Sequence, residues 1–437
     1  MTGLDLADRL VRAAFDTVAD SVTDTSPAMA AVADKLDAGL TAALLEAARS
    51  AAGPGERAIA DAMLDGGTEA DAVTGGTGTA ASVAAAHAFL THAHLRDDAY
   101  RTAAHPGQLV VPVALAVGQA LGATGQRVRE AALVGYEVAG HLADLLLPAV
   151  ADRGWRVSAV LAGPTAAVTA AYLHDPRAEV VAAALRLAAC HTGGGLHVVR
   201  TGADWRMQPA LGLPAGVLAA RLVARGGHRP VPGALDGPCG LLDQFGGTDR
   251  ELADRDLTGG PRIGGVTFKR YDAPTYAQGV LDACHRVGRA LAASPAVTGL
   301  RVHVCGFSDT YAGAGALPGS VGNVAGVVLA HAPRLPGPLR GLTADRLTVV
   351  PDEALAHTAG RALARLADGS TVTATGDGDT TGWGLADLVR SYRDEPVAAA
   401  AVDPVADAVS GLAAAPDVAH LVRTWRDSVT EWTGAGR

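Results

Sequence analysis

The stretch Leu95-Arg-Asp-Asp-Ala-Tyr-Arg-Thr-Ala-Ala-His105-Pro-Gly-Gln108 sets two carboxylates, a tyrosine, two arginines and a histidine between long runs of alanine, leucine and valine. Polar density of that kind serves no packing purpose. Pro106-Gly107 breaks a helix and favours a turn, so the pattern predicts a polar loop between two buried helices. Ionisable side chains on a loop held by rigid helices commonly line a site. A solvated interhelical loop has the same composition, and these residues alone leave both readings open.

On the N-terminal side of this stretch, apolar residues recur at helical spacing from Leu4 to about Ala52, interrupted at Asp24-Thr-Ser-Pro27, and again over 56–65 and 80–92. The intervening Val73-Thr-Gly-Gly-Thr-Gly-Thr-Ala80 is rich in glycine. It lacks the lysine of a phosphate-binding loop and no strand precedes it, so it reads as a loop. On the C-terminal side, Leu109–Leu121 predicts a buried helix stopping at Gly122. Thr124 caps a further helix with Val128, Ala131, Val134, Val138, Leu142 and Leu145 on its apolar face, and 210–225 forms another. The texture changes near Ile263. Gly299–Cys305, Leu347–Val350 and Ser370–Thr375 alternate as strands, with helices expected at 276–293, 321–331 and 353–367. The fold expected is therefore mainly α: a large all-helical domain over 1–263, rejoined by 393–437, and a smaller α+β lid domain over 264–392.

Composition narrows the function classes. A chain of 437 residues exceeds one ordinary core. Hydrophobic residues at 49%, charged residues at 19% and a mean hydropathy of +0.20 describe a globular protein. Aromatics are only 4%, so helices are expected to pack through small side chains. A net charge of −9 without a long basic run argues against a nucleic-acid partner. Cys190, Cys239, Cys284 and Cys305 lie far apart, which gives no disulfide framework and no zinc or iron–sulfur ligand spacing. The first residues lack the apolar core of a signal peptide, and apolar runs such as Leu109–Val117 are short for a bilayer. A cytoplasmic protein with no membrane partner is expected. Lys35 and Lys269 are the only lysines among 36 basic residues, which singles out both.

The order of these pieces resembles the MmgE/PrpD family of 2-methylcitrate dehydratases, cis-aconitate decarboxylases and iminodisuccinate epimerases. The matching residues are His105-Pro-Gly, Pro112-Val-Ala-Leu-Ala116, Gly122-Ala-Thr-Gly125, Gly135-Tyr-Glu-Val-Ala139, Phe268-Lys-Arg-Tyr271, Leu366-Ala-Asp-Gly369 and Gly376-Asp-Gly378. The resemblance implies a helical domain, a smaller lid, a homodimer and a cleft between the domains. It also implies cofactor-free acid–base chemistry on small polycarboxylates, with no metal. The family's Asp-x-Asp-Asp-Thr pattern stands here as Leu95-Arg-Asp-Asp-Ala99, so its first acid and its threonine are missing. His105 keeps its position. A family histidine aligns with Arg156 and a family lysine with Trp205, while Lys269 is retained; a second-domain tyrosine aligns with Asn323.

From this alignment His105 is expected as acid/base, with Lys269 as a cationic partner. Asp98 is expected either to serve catalysis or to orient His105 and cap a helix. Tyr100, Arg101, Trp155, Arg156, Arg200, Trp205, Arg206, Tyr271 and Tyr276 are candidate substrate contacts, and each also fits a packing or surface role. Asp97 and His197 are candidates to replace the missing groups. The expected function is elimination, isomerisation or cyclisation through an enolate-like state, on a carboxylated or β-dicarbonyl substrate in secondary metabolism. The alternatives are a conventional dehydratase or decarboxylase, and a non-catalytic binding protein.

Overall fold

The structure is a computed structural model that describes residues 4–202, 205–230, 232–246, 257, 259–291, 297–306, 323–393 and 399–434. Residues 292–293 and 321–322, which close and open expected helices, lie outside that set. The fold is mainly α. The chain divides into two compact units: residues 1–194, 206–268 and 383–437 form the first, and 195–205 with 269–382 form the second.

The first unit is a helical assembly. Helices α1 (Leu6–Thr23), α2 (Pro27–Ala52) and α3 (Pro54–Ala62) precede a small antiparallel pair, β1 (Ala70–Asp71) and β2 (Thr77–Gly78). β2 falls inside the glycine-rich stretch expected as a plain loop, and β1, a short strand the sequence did not suggest, precedes it. Then come α4 (Ala80–Thr91), β3 (Asp98–Ala99), α5 (Pro106–Leu121), α6 (Gly125–Leu146), α7 (Ala149–Asp152), α8 (Val157–His174) and α9 (Ala178–Ala189). After α10 (His197–Thr201), which belongs to the second unit, α11 (Met207–Ala224) and β4 (Thr267–Phe268) return to the first. Helices over Leu385–Arg393, Ala399–Ser410 and Ala419–Gly434 complete it.

Helix α8, which the sequence reading passed over, packs on α5, α6, α9 and α11. It is apolar all round and 94% buried, as a helix without a polar face must be. Small residues set its spacing. A Cβ on Gly216 of α11 would come within 2.3 Å of the Gly163 carbonyl of α8, and one on Gly212 within 2.8 Å of Ala162. By length and composition α8 and α11 would both span a bilayer, contrary to the short apolar runs expected, but α8 is interior to the unit.

Pro106-Gly107 begins helix α5 and does not break one. Proline suits the first helical position because its missing N–H would have no helical acceptor there. The unit boundaries fall at Phe268 and Trp383, not at 263 and 393, for a local reason. Asp98 pairs with Phe268 and Ala99 with Thr267, while Lys35 donates to the carbonyls of Val266 (2.9 Å) and Trp383 (2.7 Å).

The second unit is α+β. Its sheet runs β6 (Leu347–Asp352), β5 (Val297–Cys305), β7 (Gly360–Leu366), β8 (Thr371–Gly376), with β5 parallel to β6 and antiparallel to β7. Helix α12 (Gln278–Ala290) covers β7 and β8, and a short helix spans Val324–His331. The helix expected over 353–367 is instead a turn followed by β7. Arg361-Ala-Leu-Ala-Arg365 has helical composition, yet burial alternates along it, with Ala362, Ala364 and Leu366 buried. The sheet partners on both sides override the local propensity.

Candidate active site

Helix α4 ends at His92, and the chain reaches α5 through residues 93–105. Three non-glycine residues in this connection, Leu95 (φ 59), Arg101 (φ 46) and Thr102 (φ 69), take the left-handed conformation. Such a backbone costs about 1–3 kcal/mol per residue and persists only where its surroundings enforce it. Here the β3–β4 pairing and the Tyr100–Ala104 bridge, with N–H···O distances of 2.8 and 3.1 Å, enforce it.

Asp98 anchors the far end. Both its carboxylate oxygens accept from the Gly107 N–H at 3.0 Å, at the start of α5, and Oδ2 also accepts from the Tyr136 hydroxyl at 2.9 Å. A carboxylate at a helix N-terminus meets its unpaired N–H groups and its positive dipole end. Gly107 is required by this closeness, since a Cβ there would stand 2.8 Å from both Asp98 and Tyr136 oxygens. The Asp98 carbonyl accepts from His105 Nδ1 at 2.8 Å. That partner fixes the proton on Nδ1 and leaves the basic lone pair on Nε2.

His105 belongs to a buried cluster of four side chains, with His92, Asp97 and Arg156. His92 Nδ1 lies 2.6 Å from Asp97 Oδ2, and His105 Nδ1 lies 3.6 Å from the same oxygen. The two imidazole rings sit 4.5 Å apart between centroids. The Arg156 guanidinium approaches His92 Nε2 at 2.9 Å. A guanidinium only donates, so Nε2 of His92 accepts and its Nδ1–H donates to Asp97. Asp97, His92 and Arg156 therefore form one hydrogen-bonded run, with a carboxylate and a guanidinium bridged by a neutral imidazole. The side chain of His105 keeps 11% of its surface, against 1% for His92 and Asp97, so it is the most exposed of the three.

His92, Asp97 and His105 also bring their possible ligand atoms within 4.8 Å of one another. Sequence spacing did not suggest this cluster. Its hydrogen bonds leave His92 no ring lone pair for a cation, since Nδ1–H donates to Asp97 and Nε2 accepts from Arg156. Arg156 adds a positive charge on the other side of His92.

The remaining candidates have surroundings of their own within each unit. Tyr100 and Arg101 turn to Asp144, at 3.0 Å and 2.6 Å, which Arg262 also contacts at 2.9 Å. Trp155 is 36% exposed and packs edge-to-face on Phe245 at 5.2 Å. Arg206 lies over the Phe89 ring and reaches Glu56 at 3.4 Å. In the second unit Lys269, Trp205 and Tyr276 are buried, while His197 and Arg200 on α10 are exposed. Tyr271 donates to Asp282 at 3.1 Å and stacks on His285. Asn323, aligned with a family tyrosine, caps the helix over Val324–His331.

Sequence reasoning missed His92, Tyr136 and Glu137. Tyr136 and Glu137 belong to the Gly135-Tyr-Glu-Val-Ala139 motif, whose purpose the geometry explains. Tyr136 holds Asp98, and Glu137 accepts from the backbone N–H groups of Arg262 (2.8 Å) and Ile263 (2.9 Å). Burial pushes the Glu137 carboxyl up to about 7 from an ordinary 4.5. The folded state then binds this proton more tightly than the unfolded chain. Its contribution to stability is complete below about pH 4.5 and is lost as pH rises through about 7. The loss amounts to about 3 kcal/mol. Urea unfolding at pH 5 and pH 8 should show that fall in the wild type and not in Glu137→Gln. Equal pH dependence in both would remove Glu137 as its source.

The family model described as the MmgE/PrpD N-terminal domain matches residues 5–252, more than half of the chain. No curated protein matches the sequence.

Proposed function

Since the chain belongs to the MmgE/PrpD family, whose members include dehydratases and decarboxylases, we propose that it is a cofactor-free enzyme in which His105 moves a proton at a carbon beside a carboxylate or between two carbonyls. The observation that carries this reading is the fixed tautomer of His105, with Nδ1–H on the Asp98 carbonyl and the lone pair on Nε2. Nε2 takes the substrate proton, and the imidazolium that forms keeps its Nδ1–H on Asp98. The Asp97 carboxylate, 3.6 Å away, stabilises the new positive charge. Arg156, held by His92, pairs with a carboxylate or enolate oxygen through its fork of donors. Returning the proton to a leaving group completes an elimination, and returning it to another carbon completes an isomerisation. A cyclisation follows if the enolate carbon attacks a carbonyl of the same molecule and the alkoxide formed from that carbonyl takes the proton back from His105.

The substrate is a carboxylated or β-dicarbonyl compound other than the family's citrate-like acids. Leu95 and Ala99 replace an acid and a threonine, and Arg156 and Trp205 replace a histidine and a lysine. Losing one positioned acid/base group costs about 10²–10⁴-fold. Turnover of 2-methylcitrate and cis-aconitate by the purified protein is therefore expected near background. The conventional reading is favoured by one observation, the reach of Asp97 to His105, which allows Asp97 to stand in for the missing acid. Efficient dehydration of 2-methylcitrate would select that reading. Lys269 enters as an electrostatic partner on the strength of the resemblance alone.

A further inference from the structure

The connection between α4 and α5 also carries Arg96, a buried cation with no part in the chemistry above. Its guanidinium carbon lies 4.1 Å from the centroid of the Tyr392 ring, and Nη2 donates to the Ser391 carbonyl at 2.8 Å. Both partners belong to the helix over Leu385–Arg393, and 295 residues of chain separate Arg96 from Ser391. The Tyr392 hydroxyl in turn donates to Oε1 of Glu46, on α2, at 2.7 Å. Arg96, Tyr392 and Glu46 are all buried.

Each of these contacts strengthens the next. A guanidinium over an aromatic face is worth most where water is excluded. A phenol that donates to a carboxylate gains electron density, and the ring face presents that density to the cation. The Glu46 carboxylate and the Arg96 guanidinium therefore balance each other's buried charge across the ring.

The position of this anchor in the chain gives it a use. Leu95, on one side, takes the left-handed backbone at φ 59, and Asp97, on the other, faces both imidazoles. Consecutive Cα atoms stand about 3.8 Å apart, so fixing Arg96 fixes the root of the Asp97 side chain. Displacing a group by about 1 Å in such a constellation costs about 100-fold in rate. We propose that Arg96 is a positioning residue: clamped on Ser391 and Tyr392, it holds the Asp97 carboxylate at its distances from His92 and His105. The helix over Leu385–Arg393 thereby becomes part of the catalytic apparatus. This inference rests on His105 as the base.

The test uses the full chain as wild type, Arg96→Met, Tyr392→Leu and Tyr392→Phe, with a thermal melt to check that each folds. The proton on Nδ1 of His92, donated to Asp97 at 2.6 Å, should give a far-downfield NMR signal without any substrate. Wild type and Tyr392→Phe, which keeps the ring, are expected to share its position. Arg96→Met and Tyr392→Leu are expected to shift it or lose it. Deuterium exchange into a carboxylic or β-keto acid accepted by the wild type gives the second readout. Its saturating rate should fall by about 10- to 100-fold in Arg96→Met and Tyr392→Leu at unchanged KM, and Tyr392→Phe should recover most of it. Folded variants with a lower melting temperature but the wild-type signal and saturating rate would overturn the proposal. So would a wild type without the signal, or equal losses in Tyr392→Phe and Tyr392→Leu. Equal exchange by wild type and His105→Ala would remove the base but not the clamp, which the imidazole signal then decides alone.

Discussion

His105→Ala is expected to lower kcat on the true substrate by about 10²–10⁴-fold, the usual worth of a positioned acid/base group. KM should change little, because the substrate carboxylate is assigned to Arg156 and not to the imidazole. His105 is the most accessible member of its cluster, so alanine there leaves no buried charge unpaired and the fold should survive. Steady-state kinetics beside a thermal melt separates the two effects. A variant with wild-type kcat would show that the proton moves elsewhere.

The second large effect is expected from Asp97→Leu, and it acts on stability and rate together. Asp97 carries the charge that faces both imidazoles, at 2.6 Å and 3.6 Å, in a position 1% exposed. Removing it takes the carboxylate from the far end of the Asp97–His92–Arg156 run, so the His92 Nδ1–H loses its buried acceptor. Breaking one side of a buried ionic arrangement typically costs about 3–5 kcal/mol. The rate should fall as well, since the His105 imidazolium loses its nearest carboxylate. Asp97→Asn keeps the shape and an acceptor oxygen for His92, so it should recover most of the stability while kcat stays low. Recovery of both by asparagine would reduce Asp97 to a structural hydrogen-bond acceptor.

These expectations show what the sequence could and could not disclose. The polar run that carries His105 stands out in the sequence because it interrupts long apolar segments, while the residues alone leave its role open. The mainly α fold was legible because apolar residues recur at helical spacing along most of the first unit. His92 was not legible, since a histidine at a helix end carries no periodic signal and its partner Arg156 lies 64 residues away. The aligned position of Arg156 suggested a clamp for substrate, but not that an imidazole and Asp97 would hold it. Strand β7 escaped because alanine, leucine and arginine favour helix locally, and only its neighbours β5 and β8 decide otherwise. Pro106 reads as a breaker because the sequence does not say on which side of a proline the helix lies.

The central claim is that Nε2 of His105 takes a proton from carbon, and solvent isotope exchange tests it without knowledge of the product. A panel of short-chain carboxylic acids and β-keto acids is incubated in D₂O with wild type and with His105→Ala, and loss of the proton signal beside each carboxylate is followed by NMR. We expect at least one compound to exchange with the wild type, and the rate to fall to that of buffer with His105→Ala. Exchange at equal rates with both proteins would contradict the account.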